Sequence, residues 1–262
     1  MAQPNWRAWG VGLKPKERQQ RIRDVIGQTG EMSVEALVRQ FDVSAETIRR
    51  DLGRLAQSGA LQKVHGGARR NQLHAEGSFQ ERMSEQAGAK AEIARKLARM
   101  VEPGDTIFID TGSTTLICAE ALAQTDDLTI ITNSLRIAQV MGRTGRSRVF
   151  LLGGSFSPDN AETLGPLVID QIGRFQADHA VLSAAAVDAK AGVTNADFDE
   201  AQVARAMMDR SSHTVLVADH TKLGRKAAFR ICRLDEVDVL VCDEAPDAGF
   251  AGALALAGVE LR

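Results

Sequence analysis

The sequence has few of the features that mark metal-binding, secreted or membrane proteins. Its only cysteines are Cys118, Cys232 and Cys242, and their spacings match no zinc-binding pattern. We therefore expect reduced thiols without a special role, and neither a metal nor a cofactor. No apolar run approaches the ~18 residues of a membrane span. The start of the chain lacks an apolar stretch followed by a small-residue cleavage site. These absences predict a cytoplasmic protein with no membrane partner.

An excess of positive charge is found only near the start of the chain. Residues 14–70 hold 12 Lys/Arg and 7 Asp/Glu, whereas the net charge of all 262 residues is −2, so the remainder is acidic. A basic small segment joined to an acidic large one indicates that the small segment meets a polyanion. At 44% hydrophobic residues, the chain has enough apolar content to bury its cores.

The sequence pattern divides the chain into four parts. Residues 1–13 show no periodicity, which predicts a disordered extension or an upstream start codon. Residues 14–70 form a small basic domain, and residues 89–262 form a larger one. Between them, residues 71–88 are polar and predict a linker, with room for some helix near Phe79.

Two short amphipathic helices joined by a tight turn lie in the small domain. Ser33 precedes VEALVRQF and Ser44 precedes AETIRRDLGRL, so each serine can accept a backbone N–H at a helix start. This pattern predicts a helix-turn-helix, whose second helix lies in the major groove of double-stranded DNA. The outward positions of that helix are polar or basic: Glu46, Thr47, Arg49, Arg50 and Arg54.

A wing follows the second helix. The segment ALQKVHGGARR predicts a short strand, a Gly-Gly turn and a basic tail. Lys63, His65 and the arginines at 69 and 70 are available for phosphates or the minor groove. A basic helix pair without a partner is the alternative, but two caps, a basic face and a wing together favour DNA binding.

The stretch VSAETIRRDLGRLAQSGALQKVHGGA resembles the signature of DeoR-type transcriptional repressors. Arg49 and Arg50 match the paired arginines of that family's recognition helix, and the run from His65 to Gly67 matches its wing. The resemblance covers about residues 14–247. It implies a bacterial-type repressor with a C-terminal domain that senses an effector.

Short apolar strands alternate with helices in the larger domain. This order, which begins with AKAEIARKLARMV and DTIFID, predicts an α/β domain with a mostly parallel sheet flanked by helices. Residues 163–175 are expected to be one of these helices. By resemblance, the sensor domains of the family have a fold similar to ribose-5-phosphate isomerase and aminosugar-phosphate deaminase.

Four polar turns follow predicted strands and indicate a ligand crevice. Asp110 ends one strand and leads into a Gly/Ser/Thr turn, whose backbone N–H groups and hydroxyls suit a phosphate monoester. Loops after parallel strands gather at one edge of the sheet. The resemblance implies that phosphate is held by Gly112, Ser113, Thr114 and Thr115. It implies that the pocket is also lined by Asn133, Gly154 and Lys222.

An acidic group is expected at the other end of the ligand. The ligand hydroxyls could meet Asp110 or the acidic group of Asp197, Asp199 and Glu200. For the acidic group, a helix start favoured by the helix dipole is the alternative. Lys222 could equally be a solvated loop lysine. Many family members have a Gly-rich stretch where this chain has residues 183–186, Ser-Ala-Ala-Ala, and this bulkier loop could change ligand choice.

Over residues 217–246, the resemblance to DeoR-type repressors points to glycerol-3-phosphate as the effector. A sugar phosphate is the alternative.

An alternative of a different class is an enzyme: a sugar-phosphate isomerase or deaminase-like protein fused to a DNA-binding module. Its candidate catalytic residues would be Asp110, Asp199, Glu200 or His220. An inducer needs only different affinities for two conformations, so we expect no catalytic residues. A DNA-bound structural protein without a ligand is disfavoured by the four polar turns. We expect a homo-oligomer, a dimer or tetramer, because one helix-turn-helix reads few bases.

Overall fold

The computed structural model describes residues 13–57, 61–70 and 76–262. The chain divides into two compact units, Met1–Gln72 and Leu73–Arg262. Residues 1–12 of the predicted extension and residues 71–75 of the predicted linker lie outside the described residues. Among the described residues, no helix is long and apolar enough to cross a membrane.

The described part of the first unit contains three helices and a small antiparallel sheet. Its core contains Ile22, Leu37, Phe41, Ile48 and Leu52, all 0–1% exposed. The sheet has the order β1-β3-β2, so a strand before the second helix pairs with the wing. The elements are α1 (Pro15–Thr29), β1 (Glu31–Ser33), α2 (Val34–Phe41), α3 (Ala45–Gln57), β2 (Leu61–Val64) and β3 (Gly67–Arg70).

The second unit is an α/β domain. Its helices are α4 (Phe79–Ser84), α5 (Ala87–Leu97), α6 (Ser113–Leu122), α7 (Leu135–Arg143), α8 (Pro166–Ile172), α9 (Phe198–Met208) and α10 (Ala248–Ala257). Its strands are β4 (Thr106–Ile109), β5 (Thr129–Thr132), β6 (Arg148–Leu151), β7 (Ser155–Ser157), β8 (Glu162–Leu164), β9 (Ala177–Leu182), β10 (Ala186–Asp188), β11 (Gly192–Asn195), β12 (Ser211–Val217), β13 (Phe229–Cys232), β14 (Val239–Val241) and β15 (Glu260–Leu261).

The main sheet of this unit has seven strands in the order β15-β14-β12-β9-β4-β5-β6. All of its strand pairs are parallel. Alternate residues of β4 pack into two hydrophobic cores on opposite faces of the sheet. Phe108 lies in one core, whereas Ile107 and Ile109 lie in the other. Both faces are therefore covered, which explains the uninterrupted apolar strands. The predicted α/β class with a mostly parallel sheet is confirmed.

Two segments differ from the sequence predictions. Residues 76–88, predicted as linker, belong to the second unit, where α4 begins at a capping box formed by Ser78 and Glu81. Phe79 is 6% exposed and its backbone N–H donates to Asp159 Oδ2 at 3.2 Å. One buried aromatic residue anchors this polar segment, so periodicity cannot reveal it. The helix predicted over 163–175 begins only at Pro166, because the preceding residues pair as β8 with β7.

Candidate DNA interface and effector site

The helix-turn-helix is built by the two predicted serine caps. Ser33 Oγ accepts the Ala36 backbone N–H at the start of α2, and Ser44 Oγ accepts the Thr47 N–H at the start of α3, each at 3.2 Å. The turn between the helices begins with Asp42 in the left-handed conformation, at φ 50°. Side-chain caps satisfy backbone donors that a helix start leaves open.

The outer face of α3 presents the predicted DNA-binding side chains. Arg49, Arg50 and Arg54 are exposed, as is Glu46. Thr47 is half-buried and its Oγ1 lies 2.9 Å from Ser44 Oγ, so part of its role is to hold the helix start. Three guanidinium groups on one helix suit phosphates and guanine edges in a major groove.

A buried ion pair that the sequence did not reveal holds α3 against α1. Asp51 is 1% exposed, and its Oδ2 accepts Arg18 Nε at 2.5 Å. Gln19 Nε2 donates to the other carboxylate oxygen of Asp51 at 2.7 Å. Because Asp51 lies among basic, exposed neighbours in the sequence, its burial is decided by the packing of the two helices.

The wing is the hairpin of β2 and β3. Gly66 turns it at φ +78°, and Lys63 and His65 are exposed on it. A Cβ on Gly67 would lie 2.4 Å from the backbone oxygen of Met32 in β1, so this position requires glycine. Arg69 is half-buried. The side chain of Arg70 is outside the description.

In the second unit, Asp110 lies at the carboxyl end of β4. It is 6% exposed, and the backbone N–H of Ser183, after β9, donates to its two oxygens at 3.1 and 3.0 Å. Burial raises the pKa of this carboxyl well above its usual value, although the Ser183 hydrogen bonds oppose the shift. The Ser183 hydroxyl, which belongs to the departure from the family pattern, also lies 3.3 Å from Asp110 Oδ1 and so helps to fix this predicted ligand-facing aspartate.

The predicted phosphate turn is the start of α6. Gly112 is its N-cap, and the next three residues are Ser113, Thr114 and Thr115, at most 7% exposed. Thr115 Oγ1 donates to the Gly112 carbonyl at 3.1 Å. A Cβ on Gly112 would lie 2.4 Å from Ser183 Oγ. The glycine thus allows two loops to approach, while the first N–H groups of the helix remain directed at its N-terminal end.

Asn133 joins the turn after β5 to this edge of the sheet. It is 2% exposed, its Oδ1 accepts Thr111 Oγ1 at 3.3 Å, and its Nδ2 donates to the Thr163 carbonyl at 3.0 Å. Glu162, which precedes Thr163 in β8, forms an isolated β-bridge with Ser134. The β7–β8 hairpin is therefore placed beside the predicted ligand loops.

An acid network, defined here as Asn160, Glu162, Asn195 and Glu200, lies at this edge. Asn160 Nδ2 donates to Glu162 Oε1 at 2.9 Å and to Glu200 Oε1 at 2.7 Å. Asn195 Nδ2 donates to Glu200 Oε2 at 3.1 Å. Glu162 is 1% exposed, and among the described residues its Oε2 has no hydrogen-bond partner. An acceptor of this kind suits a ligand hydroxyl.

The two carboxyls of the network share their environment. Burial, reinforced by the negative charge of Glu162, raises the pKa of Glu200 to about 9. Burial likewise raises the pKa of Glu162. Near neutral pH the pair therefore retains a proton and offers both a donor and acceptors. Sequence analysis missed Glu162, Asn160 and Asn195, since only tertiary contacts bring the hairpin to α9.

A cationic cluster, defined here as Arg82, Lys90 and Lys222, lies in the same unit. Lys222 Nζ is 3.0 Å from Glu76 Oε1, so the predicted phosphate partner already has an acidic partner. Arg82 Nη2 donates to Asn160 Oδ1 at 2.5 Å. The cluster and the acid network are therefore joined through one arginine, which the sequence pattern did not indicate.

Other predicted effector residues are less involved in these contacts. Asp199 is exposed at the start of α9, where Asp197 caps the helix by accepting its N–H at 2.8 Å. Gly154 is exposed, and a Cβ there would lie 2.6 Å from the Leu164 carbonyl, so close hairpin packing explains this glycine. His220 Nδ1 lies 2.7 Å from Asp243 Oδ2.

Family comparisons cover both units. The DeoR C terminal sensor domain matches residues 85–244, and the DeoR-like helix-turn-helix domain matches residues 18–73. The chain belongs to the DeoR family. The DeoR resemblance predicted from the recognition helix and wing is confirmed.

Two curated relatives that match this DeoR-family chain over most of their length are transcriptional repressors. The HTH-type transcriptional repressor CsqR of Escherichia coli is 34% identical, over 95% of each chain. The glycerol-3-phosphate regulon repressor of Escherichia coli is 33% identical, over 89% of this chain and 93% of that protein. The chain is thus a DNA-binding transcriptional regulator rather than an enzyme.

The chain also has remote similarity to solved structures, one of which is an isomerase. Ribose 5 phosphate isomerase A from Neisseria gonorrhoeae is 18% identical with a TM-score of 0.39, over 51% of this chain and 52% of that one. At this distance the likeness says nothing about function.

Proposed function

We propose that this protein is a transcriptional repressor whose operator binding is relieved by a small phosphate monoester. One observation carries the proposal: a winged helix-turn-helix with three exposed arginines on α3 is followed in the chain by a sensor unit that brings a cationic cluster and an acid network together. The cationic cluster and the start of α6 favour a dianion. Asp110 and the acid network exchange hydrogen bonds with neutral hydroxyls, and the negative charge that remains on the acid network disfavours a second phosphate.

Glycerol-3-phosphate is the effector we infer first. It has one phosphate and two hydroxyls, which matches both ends of the site, and a curated relative is named the glycerol-3-phosphate regulon repressor. A sugar phosphate is the second candidate, because the same two ends would bind it. The effector must bind more tightly to the conformation that has the weaker affinity for DNA. Equal affinity for both conformations would not shift the equilibrium between them.

The residues proposed for each role follow the sequence predictions, with additions from the structure. Arg49, Arg50 and Arg54 contact DNA together with Lys63 and His65 of the wing. Gly112 to Thr115 and Lys222 hold phosphate. The hydroxyls face Asp110, Glu162 and Glu200. We further propose that the protein acts in the cytoplasm, where chromosomal operators are accessible.

The test is operator release in a fluorescence-anisotropy titration, with an operator fragment selected from genomic DNA by the purified chain. Glycerol-3-phosphate is expected to release the fragment and glycerol is not. Ser113→Asp should abolish the release, because a carboxylate at the start of α6 repels the phosphate. The matched control is Ser147→Asp, which adds the same charge between α7 and β6.

The alternatives predict different outcomes. Release by glycerol alone would remove the phosphate site from the proposal. Release only by a sugar phosphate would retain the site and reject glycerol-3-phosphate. Turnover of a sugar phosphate by the purified chain would revive the enzyme alternative.

A further inference from the structure

The carboxylate of Glu76 fills a site between two cations in the second unit. Its Oε1 lies 3.0 Å from Lys222 Nζ and its Oε2 lies 3.1 Å from Arg82 Nη1. These side chains are 25% and 13% exposed, and that of Glu76 is 20% exposed. Each carboxylate oxygen thus has a cation of its own, in a partly desolvated place where such pairs are stronger than at an open surface.

Three cations lie around Glu76, and the carboxylates of Asp219 and Glu85 act on one of them, Lys90. Lys90 is 4% exposed, and its ammonium donates to the Arg82 carbonyl. Burial lowers the pKa of Lys90, and the positive charges of Lys222 and Arg82 lower it further, while Asp219 acts in the opposite sense. Three crowded cations would gain from an anion that carries more than one charge and more than two oxygens.

The position of Glu76 in the chain makes this contact informative. Only residues 71–75 separate it from Arg70, the last residue of the wing strand β3. In the other direction it is followed by α4, which carries Arg82. A change in the partners of Glu76 therefore acts on the part of the sensor unit that is closest in sequence to the DNA-binding unit.

We propose that Glu76 is an internal competitor of the effector's phosphate: it occupies the cationic cluster when no effector is bound and must leave when the phosphate binds. The proposal rests on the proposed function, since it takes the effector to be a phosphate monoester. A phosphate dianion offers three oxygens to Arg82, Lys90 and Lys222, whereas Glu76 offers two. Both anions cannot hold the same ammonium and guanidinium donors, so effector binding is coupled to release of Glu76.

The test is the affinity of the full chain for inorganic phosphate, measured by isothermal titration calorimetry. Glu76→Gln keeps the size of the side chain and removes its charge. We expect it to bind phosphate about tenfold more tightly than the parent chain, which corresponds to ~1.4 kcal/mol. Lys222→Gln should bind phosphate at least tenfold more weakly. Glu92→Gln is the matched control, because it removes the carboxylate of an exposed ion pair with Arg95.

Unchanged phosphate affinity in folded Glu76→Gln and Glu76→Ala would overturn the proposal, as would the absence of phosphate binding in parent and variants alike. Circular dichroism checks the fold of each variant. A failure of the competitor proposal can be distinguished from a failure of the proposed function. Operator release by glycerol-3-phosphate from a chain whose Glu76 variants bind phosphate normally would reject the competitor alone. Tighter phosphate binding by Glu76→Gln, without operator release by any phosphate monoester, would reject only the proposed function.

Discussion

Single residues at the two sites differ in what surrounds them. The arginines of α3 are exposed, and the role proposed for them depends on their position, whereas the role proposed for Glu162 and Glu200 depends on their burial beside each other. Exposed charges on a recognition helix can be predicted from the helical spacing of the sequence. A buried carboxyl pair formed by residues 38 positions apart is not, since no local pattern connects its members.

Arg50→Ala should weaken operator affinity by about 1–3 kcal/mol, the scale of one base contact, without changing the fold. Arg50 is exposed on α3, so truncation removes donors and creates no cavity. Anisotropy titrations at several salt concentrations measure the effect. A smaller salt slope would assign Arg50 to a phosphate, and an unchanged slope would assign it to a base edge. The control is Arg174→Ala in the sensor unit. Parental affinity in the folded variant would mean that α3 is not the recognition helix.

Glu200→Gln should stabilise the protein more at alkaline than at acidic pH. Because the pKa of Glu200 is raised to about 9 in the folded chain, its ionisation is resisted there but not in the unfolded chain. The stability of the parent is therefore full at pH values below ~4.3, the unfolded value, and falls as pH rises towards 9. The neutral amide is free of this loss.

The measurement is thermal unfolding of parent and variant at pH 5 and pH 8.5. The amide also loses one hydrogen bond, from Asn160 or Asn195, at both pH values, so the informative quantity is the difference between them. Glu120→Gln, at an exposed position on α6, should show no such difference. Equal effects of Glu200→Gln at the two pH values would contradict an acid pair that shares a proton.

At the level of elements, the wing depends on contact with β1. Gly67→Ala should destabilise the first unit by about 1–3 kcal/mol, because the new methyl group would meet the backbone of Met32 and not a flexible side chain. The temperature of thermal unfolding and the operator affinity should both decrease. Gly53→Ala is the matched control: its Cβ meets nothing within 4 Å, and alanine favours a helix interior. A Gly67→Ala variant with the unfolding temperature and operator affinity of the parent would refute the close approach of β1 to the wing.

For the whole molecule, we expect at least a dimer that assembles mainly through the second unit. One recognition helix reads too few bases for specific binding, and two-fold copies read paired half-sites. The second unit also exposes large apolar side chains, among them Leu256 at 93%, Leu167 at 58% and Phe156 at 56%. Sedimentation at micromolar concentration measures the state. A chain that sediments strictly as a monomer would count against paired half-site binding.

The sequence by itself determined the class of protein and the order of its elements. Serine caps, helical spacing and the Gly-Gly turn identify the winged helix-turn-helix because these signals act between residues close in the chain. Apolar strands alternating with helices likewise predict the parallel sheet, since burial on both faces leaves a local trace.

Only the tertiary structure decided how the proposed effector site is completed. Glu76, Arg82 and Lys222 meet although the last is 146 positions from the first, and the β7–β8 hairpin brings Glu162 to Glu200. Ser183, which follows the neighbouring strand β9, fixes Asp110, and Phe79 anchors a segment whose composition predicts a linker. In each case the deciding contact joins residues distant in sequence, and its energy depends on burial that composition and periodicity do not encode.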